Sequence, residues 1–234
     1  MIWLGIDTSN TPLSIALVKD GEVLIEENAT LPVTHSLRAM PVIEELVGKA
    51  GLTPDTIDRI AVSEGPGSYT GIRIGVTIAK TLAWTLDKPL VGVSSLKTLA
   101  ANGQLFPNLV CPLVDARRNN VYSGVFQFEQ GKLTALMDDG HYPLEELLSF
   151  LEEQSVPVLF IGKDTALHRT RIEERLGEFA SFAPLALNIP RASVLIELAM
   201  REEQSEEVHT FVPEYRRLAE AEVNWLKEQQ HGNK

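Results

Sequence analysis

MIWLGIDTSNTPLSIALVKDGEVLIEE (residues 1–27) reads as three strands in succession. IWLGID is an apolar run that ends on Asp7, and the polar turn TSNTP, with Thr8 and Ser9, follows it. LSIALV is a second apolar run, KDG with Gly21 is a tight turn, and EVLIEE alternates. The plan returns in NLVCPLVDARRNNVYSGVFQFEQGKLTALM (residues 108–137): an apolar strand ending on Asp115, the polar turn ARRNN, a second strand, a turn at Gly131 and a third strand. Aspartate and glycine are 14 residues apart in the first copy and 16 in the second. Such a recurrence points to two related lobes, each opening on an antiparallel meander and then adding helices. The boundary is expected near residue 103, giving lobes of 1–103 and 104–234.

Between the two copies, SLRAMPVIEELVGKAGL places Leu37, Met40, Ile43, Leu46 and Val47 at helical spacing, with Gly51 as a stop and Pro41 as a bend or first-turn residue. IDRIAVS is a short buried strand, GIRIGVTIAKTLAWTLD a helix, PLVGV a strand and SSLKTLAANG a short helix. After the second copy, YPLEELLSFLEEQ, TALHRTRIEERLG and RASVLIELAMREE read as helices and VPVLFIG as a strand. REEQSEEVH is an acidic cluster of the kind found on a solvated helix end or loop. The last dozen residues read as a polar, frayed tail.

Bulk properties exclude several classes. With 234 residues the chain can build a real core. No apolar run approaches the length of a membrane span, and the N-terminus lacks the basic start of a secretory signal, so a cytoplasmic location is expected. The lone cysteine, Cys111, lies in the apolar run LVCPLV and reads as a small buried hydrophobe. A formal charge of −11 argues against a chain that grips nucleic acid by itself, though not against a place beside a basic partner.

SEGPGSYTGIRIG (residues 63–75) looks at first like a phosphate loop. It lacks the Gly-Lys-Ser/Thr that reaches phosphates and magnesium, and Gly65, Gly67 and Gly71 do not have the dinucleotide spacing. A free helix N-terminus there could still attract an anion. The alternative is a turn at Gly65-Pro66-Gly67 with Ser68 or Thr70 capping the helix. Along that helix Gly71, Gly75, Ala79 and Ala83 recur every fourth residue, a stripe that suits the close approach of another backbone. Ile72, Ile74, Val76, Ile78, Leu82 and Trp84 fill the other faces, so burial on more than one side is expected, within the chain or against a partner.

The five histidines, His35, His141, His168, His209 and His231, form no metal-binding spacing, and no serine sits in a nucleophile elbow. Asp7 and Asp115 each end a lobe's first strand. Facing an interlobe cleft they would serve a phosphotransferase as magnesium or base residues; otherwise they cap local turns.

Taken in order, LGIDTSNTPLSIAL, HSLRAMPVIEEL, SEGPGSYTGIRIGVTIAKTLAW, PLVGVSSL and DARRNNVYSGVF resemble the TsaB (YeaZ) family, a subunit of the bacterial machinery that makes N6-threonylcarbamoyladenosine at position 37 of tRNA. The resemblance is strong over about the first 130 residues and returns at PEYRR, where Arg216 stands in place of the family's leucine. It implies an α/β, actin-like, sugar-kinase/Hsp70-type (ASKHA) fold of two related lobes. The sister family TsaD carries a His-x-x-x-His pair at positions corresponding to Ser95 and Leu99, so the resemblance implies a paralogue without the catalytic metal or any other cofactor. It implies a dimerisation subunit that binds a TsaD-like partner through the helices at 36–48 and 71–86. The partner face would comprise Leu37, Met40, Ile43, Leu46, Gly71, Ile72, Gly75, Ile78, Ala79, Leu82 and Ala83, and the same face could pair with a second copy. A TsaE-like ATPase would be recruited by the pair, and tRNA would be met only indirectly. The rival expectations are an ATP-dependent phosphotransferase using Asp7 and Asp115, and a glycoprotease-like peptidase.

Overall fold

The strand Ile2–Asp7 (β1) is buried at every position, which requires cover on both faces of its sheet. The computed structural model supplies that cover, and describes residues 1–31, 34–130, 132–201 and 205–215. The acidic cluster near 201–209 is thus described in part, and Arg216 of PEYRR and the polar tail lie outside the described residues.

β1 pairs antiparallel with β2 (Leu13–Lys19), which pairs antiparallel with β3 (Glu22–Ala29). Helix α1 (His35–Lys49) leads to β4 (Arg59–Gly65), parallel to β1, and helix α2 (Tyr69–Leu86) to β5 (Leu90–Ser94), parallel to β4. Helix α3 (Ser95–Ala101) closes the unit. The second half repeats it with β6 (Leu109–Asp115), β7 (Asn120–Glu129), β8 (Lys132–Pro143), α4 (Leu144–Gln154), β9 (Val158–Ile161), α5 (Thr165–Leu176), β10 (Ala180–Phe182) and α6 (Ala192–Ala199). The strand orders are β3-β2-β1-β4-β5 and β8-β7-β6-β9-β10, the same order in each unit. This duplicated α/β sheet is the actin-like architecture of two related lobes.

Strand alternation sends Leu4, Ile6, Ile15 and Leu17 to one face of the first sheet, where α1 and α2 cover them with Val42, Ile43, Leu46, Ile72, Val76 and Ala79. Trp3, Ala16 and Val18 point to the other face and meet Ala192, Leu195, Ile196 and Ala199 of α6. Gly5 permits this approach: a Cβ there would stand 2.7 Å from the Ala192 carbonyl oxygen and 2.8 Å from Ile196 Cγ1. Reciprocally, Leu99 and Ala100 of α3 pack on Val110, Phe126 and Ile161 of the second sheet. Each unit's last helix therefore covers the other unit's sheet.

The 103/104 division separates the sheets but not the cores. Residues 192–201 and 205–215 return to the first lobe: the Glu206 N–H donates to the Leu90 carbonyl at 2.7 Å, and Phe211 enters the first core. The described part of the second half is thus not a lobe by itself, because α6 has its apolar face against β1 and β2. β10 was not expected; three residues carry no legible alternation. Pro41 lies inside α1, and the chain leaves that helix through Gly51 at φ +67°.

Candidate interaction face and interlobe cleft

Helix α2 begins as its sequence suggests, with the Ser68 hydroxyl accepting the Gly71 N–H, and ends at Asp87 in the left-handed region. Its small-residue stripe faces inward. A Cβ at Gly71 would overlap the Thr8 carbonyl oxygen, and one at Gly75 would overlap Thr8 Oγ1. That hydroxyl donates to the Gly71 carbonyl at 2.7 Å. The close approach that the stripe serves is therefore to the chain's own β1–β2 turn, not to a partner. Gly71, Ile72, Gly75, Ala79 and Ala83 are buried in the first lobe, as are Ile43 and Leu46 of α1. The expectation that these seven residues form a partner face is corrected on that ground.

Leu37 and Met40 of the expected face do reach solvent, 71% and 43% exposed, and Ile78 and Leu82 are half-buried at the edge of the core. They are joined by two residues not singled out as interface, Tyr69 and Trp84, at 58% and 69% exposure. Between α1 and α2 runs a groove of about 450 Å³ whose walls include Met40, Tyr69, Arg73, Ile74 and Ile78. Arg73 lies over the Tyr69 ring at 5.2 Å and donates to its hydroxyl at 2.6 Å. The segment 205–215 runs beside this face. Lys80 Nζ donates to the carbonyls of His209 (3.1 Å) and Phe211 (2.7 Å), and the Tyr215 ring lies 5.0 Å from that of Tyr69.

The glycine loop is held as scaffold. Gly65 takes φ +112° and precedes a cis proline. The Ser68 N–H donates to the Ser9 carbonyl at 2.7 Å, and the Ser95 hydroxyl donates to the Pro66 carbonyl. A Cβ at Gly67 would overlap the Ser9 carbonyl oxygen. These bonds tie the loop to the first turn and to α3.

The two strand-end aspartates are not brought together. Asp115 lines an interlobe cleft with Gly67, Ser68, Thr70, Arg117 and Tyr122. Its Oδ1 meets His168 Nε2 at 3.1 Å, and its N–H donates to Asp164 Oδ2 at 2.9 Å. Asp7 is fully buried and does not line that cleft. Its Oδ1 accepts from the Ser9 N–H (2.9 Å) and hydroxyl (2.7 Å), while Oδ2 has no hydrogen-bond partner among the described residues. Burial pushes its carboxyl above the ordinary range, and the bonds from Ser9 offset part of that rise. The His168–Asp115 pair was missed because the two residues are 53 positions apart.

Glu64, inside the glycine-rich stretch, was also missed. Burial first, then the charges of Glu214, Glu206 and Asp139, push its carboxyl up to about 7, with Lys97 acting in the opposite direction. Glu206 and Glu214 come to it from the far end of the chain. Ser95 and Leu99, the positions at which the resemblance implies a histidine pair in the sister family, are buried. Among the described residues no three His, Cys, Asp or Glu side chains cluster as a metal site, and no helix is long and apolar enough to cross a membrane. Cys111 is buried, its thiol pushed up to about 12 by desolvation.

Comparison with known proteins agrees with this architecture. The family model described as TsaD, tRNA N6-adenosine threonylcarbamoyltransferase, matches residues 31–225. The chain is 46% identical over 229 residues to the tRNA threonylcarbamoyladenosine biosynthesis protein TsaB of Bacillus subtilis, covering 98% of this chain and 100% of that protein. It is 35% identical over 132 residues to TsaB of Escherichia coli, covering 54% of this chain and 55% of that one. YeaZ from Pseudomonas aeruginosa superposes with a TM-score of 0.74 at 26% identity, covering 92% of this chain and 99% of that structure. With a relative of that identity matched end to end on the same duplicated fold, the chain belongs to the TsaB (YeaZ) family of tRNA threonylcarbamoyladenosine biosynthesis proteins.

Proposed function

We propose that the chain is a non-catalytic dimerisation and activating subunit of the complex that forms N6-threonylcarbamoyladenosine at position 37 of tRNA, and that it binds a TsaD-like catalytic subunit. The observation that carries this reading is the apolar outer face of α1 and α2. Leu37, Met40, Tyr69 and Trp84 remain exposed there although the inner sides of the same helices are already packed. The groove beside Ile74 gives that face a recess for a partner's side chain. A second copy of the chain can use the same face, since a self-complementary patch suits a twofold axis. The pair would recruit a TsaE-like ATPase, and contact with tRNA would be indirect.

Two features of the site support a non-catalytic role. Ser95 gives its hydroxyl to the Pro66 carbonyl and Leu99 is core, so neither offers the nitrogen donor that the sister family's histidines supply. Asp7 is sealed from the cleft, and Asp115 is engaged by His168, so the pair is poorly placed for phosphoryl transfer.

The test is reconstitution from tRNA, threonine, bicarbonate, ATP and the remaining subunits, with modified adenosine counted. Modification is expected to require this chain, to survive Asp7→Asn and Asp115→Asn, and to be lost with Ile74→Glu. Equal modification without the chain would overturn the proposal.

A further inference from the structure

A second concave site lies apart from both the helix face and the interlobe cleft. It is a groove of about 720 Å³ where the β7–β8 hairpin faces the ends of α3 and α6. Its floor is apolar, built in part from Val93, Leu133 and Leu198. Three cations converge on it from separate elements: Lys97 of α3, Lys132 of β8, and Arg201 just beyond α6. Among the described residues that line it none is acidic, and Glu197, outside the lining, pairs with Arg201.

We infer that this groove binds a phosphorylated small molecule with an apolar or aromatic part, of about the size of a nucleotide. The size is in the ordinary range for small-molecule sites, roughly 300–1,000 Å³. In a chain with a balance of −11, exposed lysines from two separate elements, Lys97 and Lys132, stand over one apolar floor. Lys97 and Lys132 act as point charges suited to phosphate oxygens. Arg201 is oriented by its 2.6 Å ion pair with Glu197, and Lys97 also feels the Glu64 carboxylate. Lys132 is in no ion pair among the described residues. The floor, walled by Leu133 and Leu198, takes the apolar part of the ligand, which separates this site from a simple phosphate-attracting surface.

The experiment is titration calorimetry on the full chain with ADP, AMP, pyrophosphate and adenosine as probes. ADP is expected to bind more tightly than pyrophosphate, which lacks the apolar part, and than adenosine, which lacks the phosphates. The double variant Lys97→Gln/Lys132→Gln removes two charge-assisted contacts and should weaken ADP by roughly tenfold or more. Both side chains are exposed, so its melting temperature should match that of the parent. Lys19→Gln/Lys163→Gln changes net charge equally, away from this groove, and should leave affinity unchanged. Three results would overturn the inference: no binding of any probe, ADP binding that survives the double variant and is lost with Arg117→Gln in the interlobe cleft, or lysine-dependent binding of tRNA alone.

Discussion

Gly71→Ala tests whether the small-residue stripe of α2 serves the chain's own interior. The new methyl group would overlap the Thr8 carbonyl oxygen and stand 3.3 Å from Ser68 Cβ. The obstructing atom is backbone, in a turn already fixed by the Thr8 hydroxyl on the Gly71 carbonyl and by the Ser68 N–H on Ser9. No side chain can rotate away, so the helix start must shift. Overpacking of this kind costs about 1–3 kcal/mol, and rigid neighbours place it near the upper end. Replacing glycine by alanine in a helix returns about 1 kcal/mol. The net expectation is a loss of about 2 kcal/mol, a fall in Tm of about 4–8 °C for a chain of this size. Gly48→Ala is the control. Gly48 is also helical, in α1, but a Cβ there meets nothing within 4 Å. The same substitution should therefore stabilise by roughly 0.5–1 kcal/mol. Thermal unfolding of the isolated chain reads both. An unchanged or raised Tm for Gly71→Ala, together with lost binding of the catalytic partner, would refute the inward reading and restore the stripe to the interface.

The outer face gives the complementary result: Leu37→Glu with Trp84→Glu should abolish co-purification with a TsaD-like subunit while shifting stability by no more than about 1 kcal/mol, since these side chains are exposed. Asp7→Asn keeps an oxygen for the two Ser9 bonds and removes a charge that burial disfavours, so chemical denaturation at neutral pH should find the variant as stable as the parent or more so. Glu64 supplies a pH signature. Its folded value of about 7 lies above the ordinary glutamate value of 4.5. The folded state therefore holds a proton that the unfolded state releases, and stability falls as pH rises through that window. By about pH 8 the cost reaches roughly 3 kcal/mol, so Glu64→Gln should flatten the profile between those values and stabilise the chain above them; a parallel profile in the variant would contradict the assignment.

What the residues disclose in advance follows the range of the interactions. The meander at 1–27 and its echo at 108–137 are local patterns of alternation and turn, and both sheets follow from them with one strand order. Ser68 as a cap and Gly51 as a stop are local too. The stripe at Gly71, Gly75, Ala79 and Ala83 was legible as a demand for close approach, but not its direction. Spacing reports which residues share a face, and says nothing of whether that face meets Thr8 or another chain. The return of α6 to β1 was equally hidden, since RASVLIELAMREE is amphipathic enough to cover either sheet. Glu64 and its neighbours Glu206 and Glu214, and the pair of Asp115 with His168, are joined only by the fold.

The duplication also supplies an internal comparison for the interaction face. In each unit two helices cover the outer side of the sheet, α1 with α2 in the first and α4 with α5 in the second. The fold alone asks the same of both pairs: an apolar inner side and a solvated outer one. The second pair meets that demand with ions. Arg171 reaches Glu145 at 2.7 Å, and Arg175 reaches Glu145 at 2.9 Å and Glu152 at 2.6 Å, so the ridge between α4 and α5 is laced with charge. The first pair, in the equivalent place, presents Leu37, Met40, Tyr69 and Trp84. The one large apolar side chain exposed on α5, Leu167, lines the interlobe cleft. Two copies of one architecture thus differ where architecture imposes no difference. Tyr69 and Trp84 meet Tyr215 and His209 of the chain's own 205–215 segment at one edge each, and the apolar area they leave exposed with Leu37 and Met40 supports the proposal of a partner face.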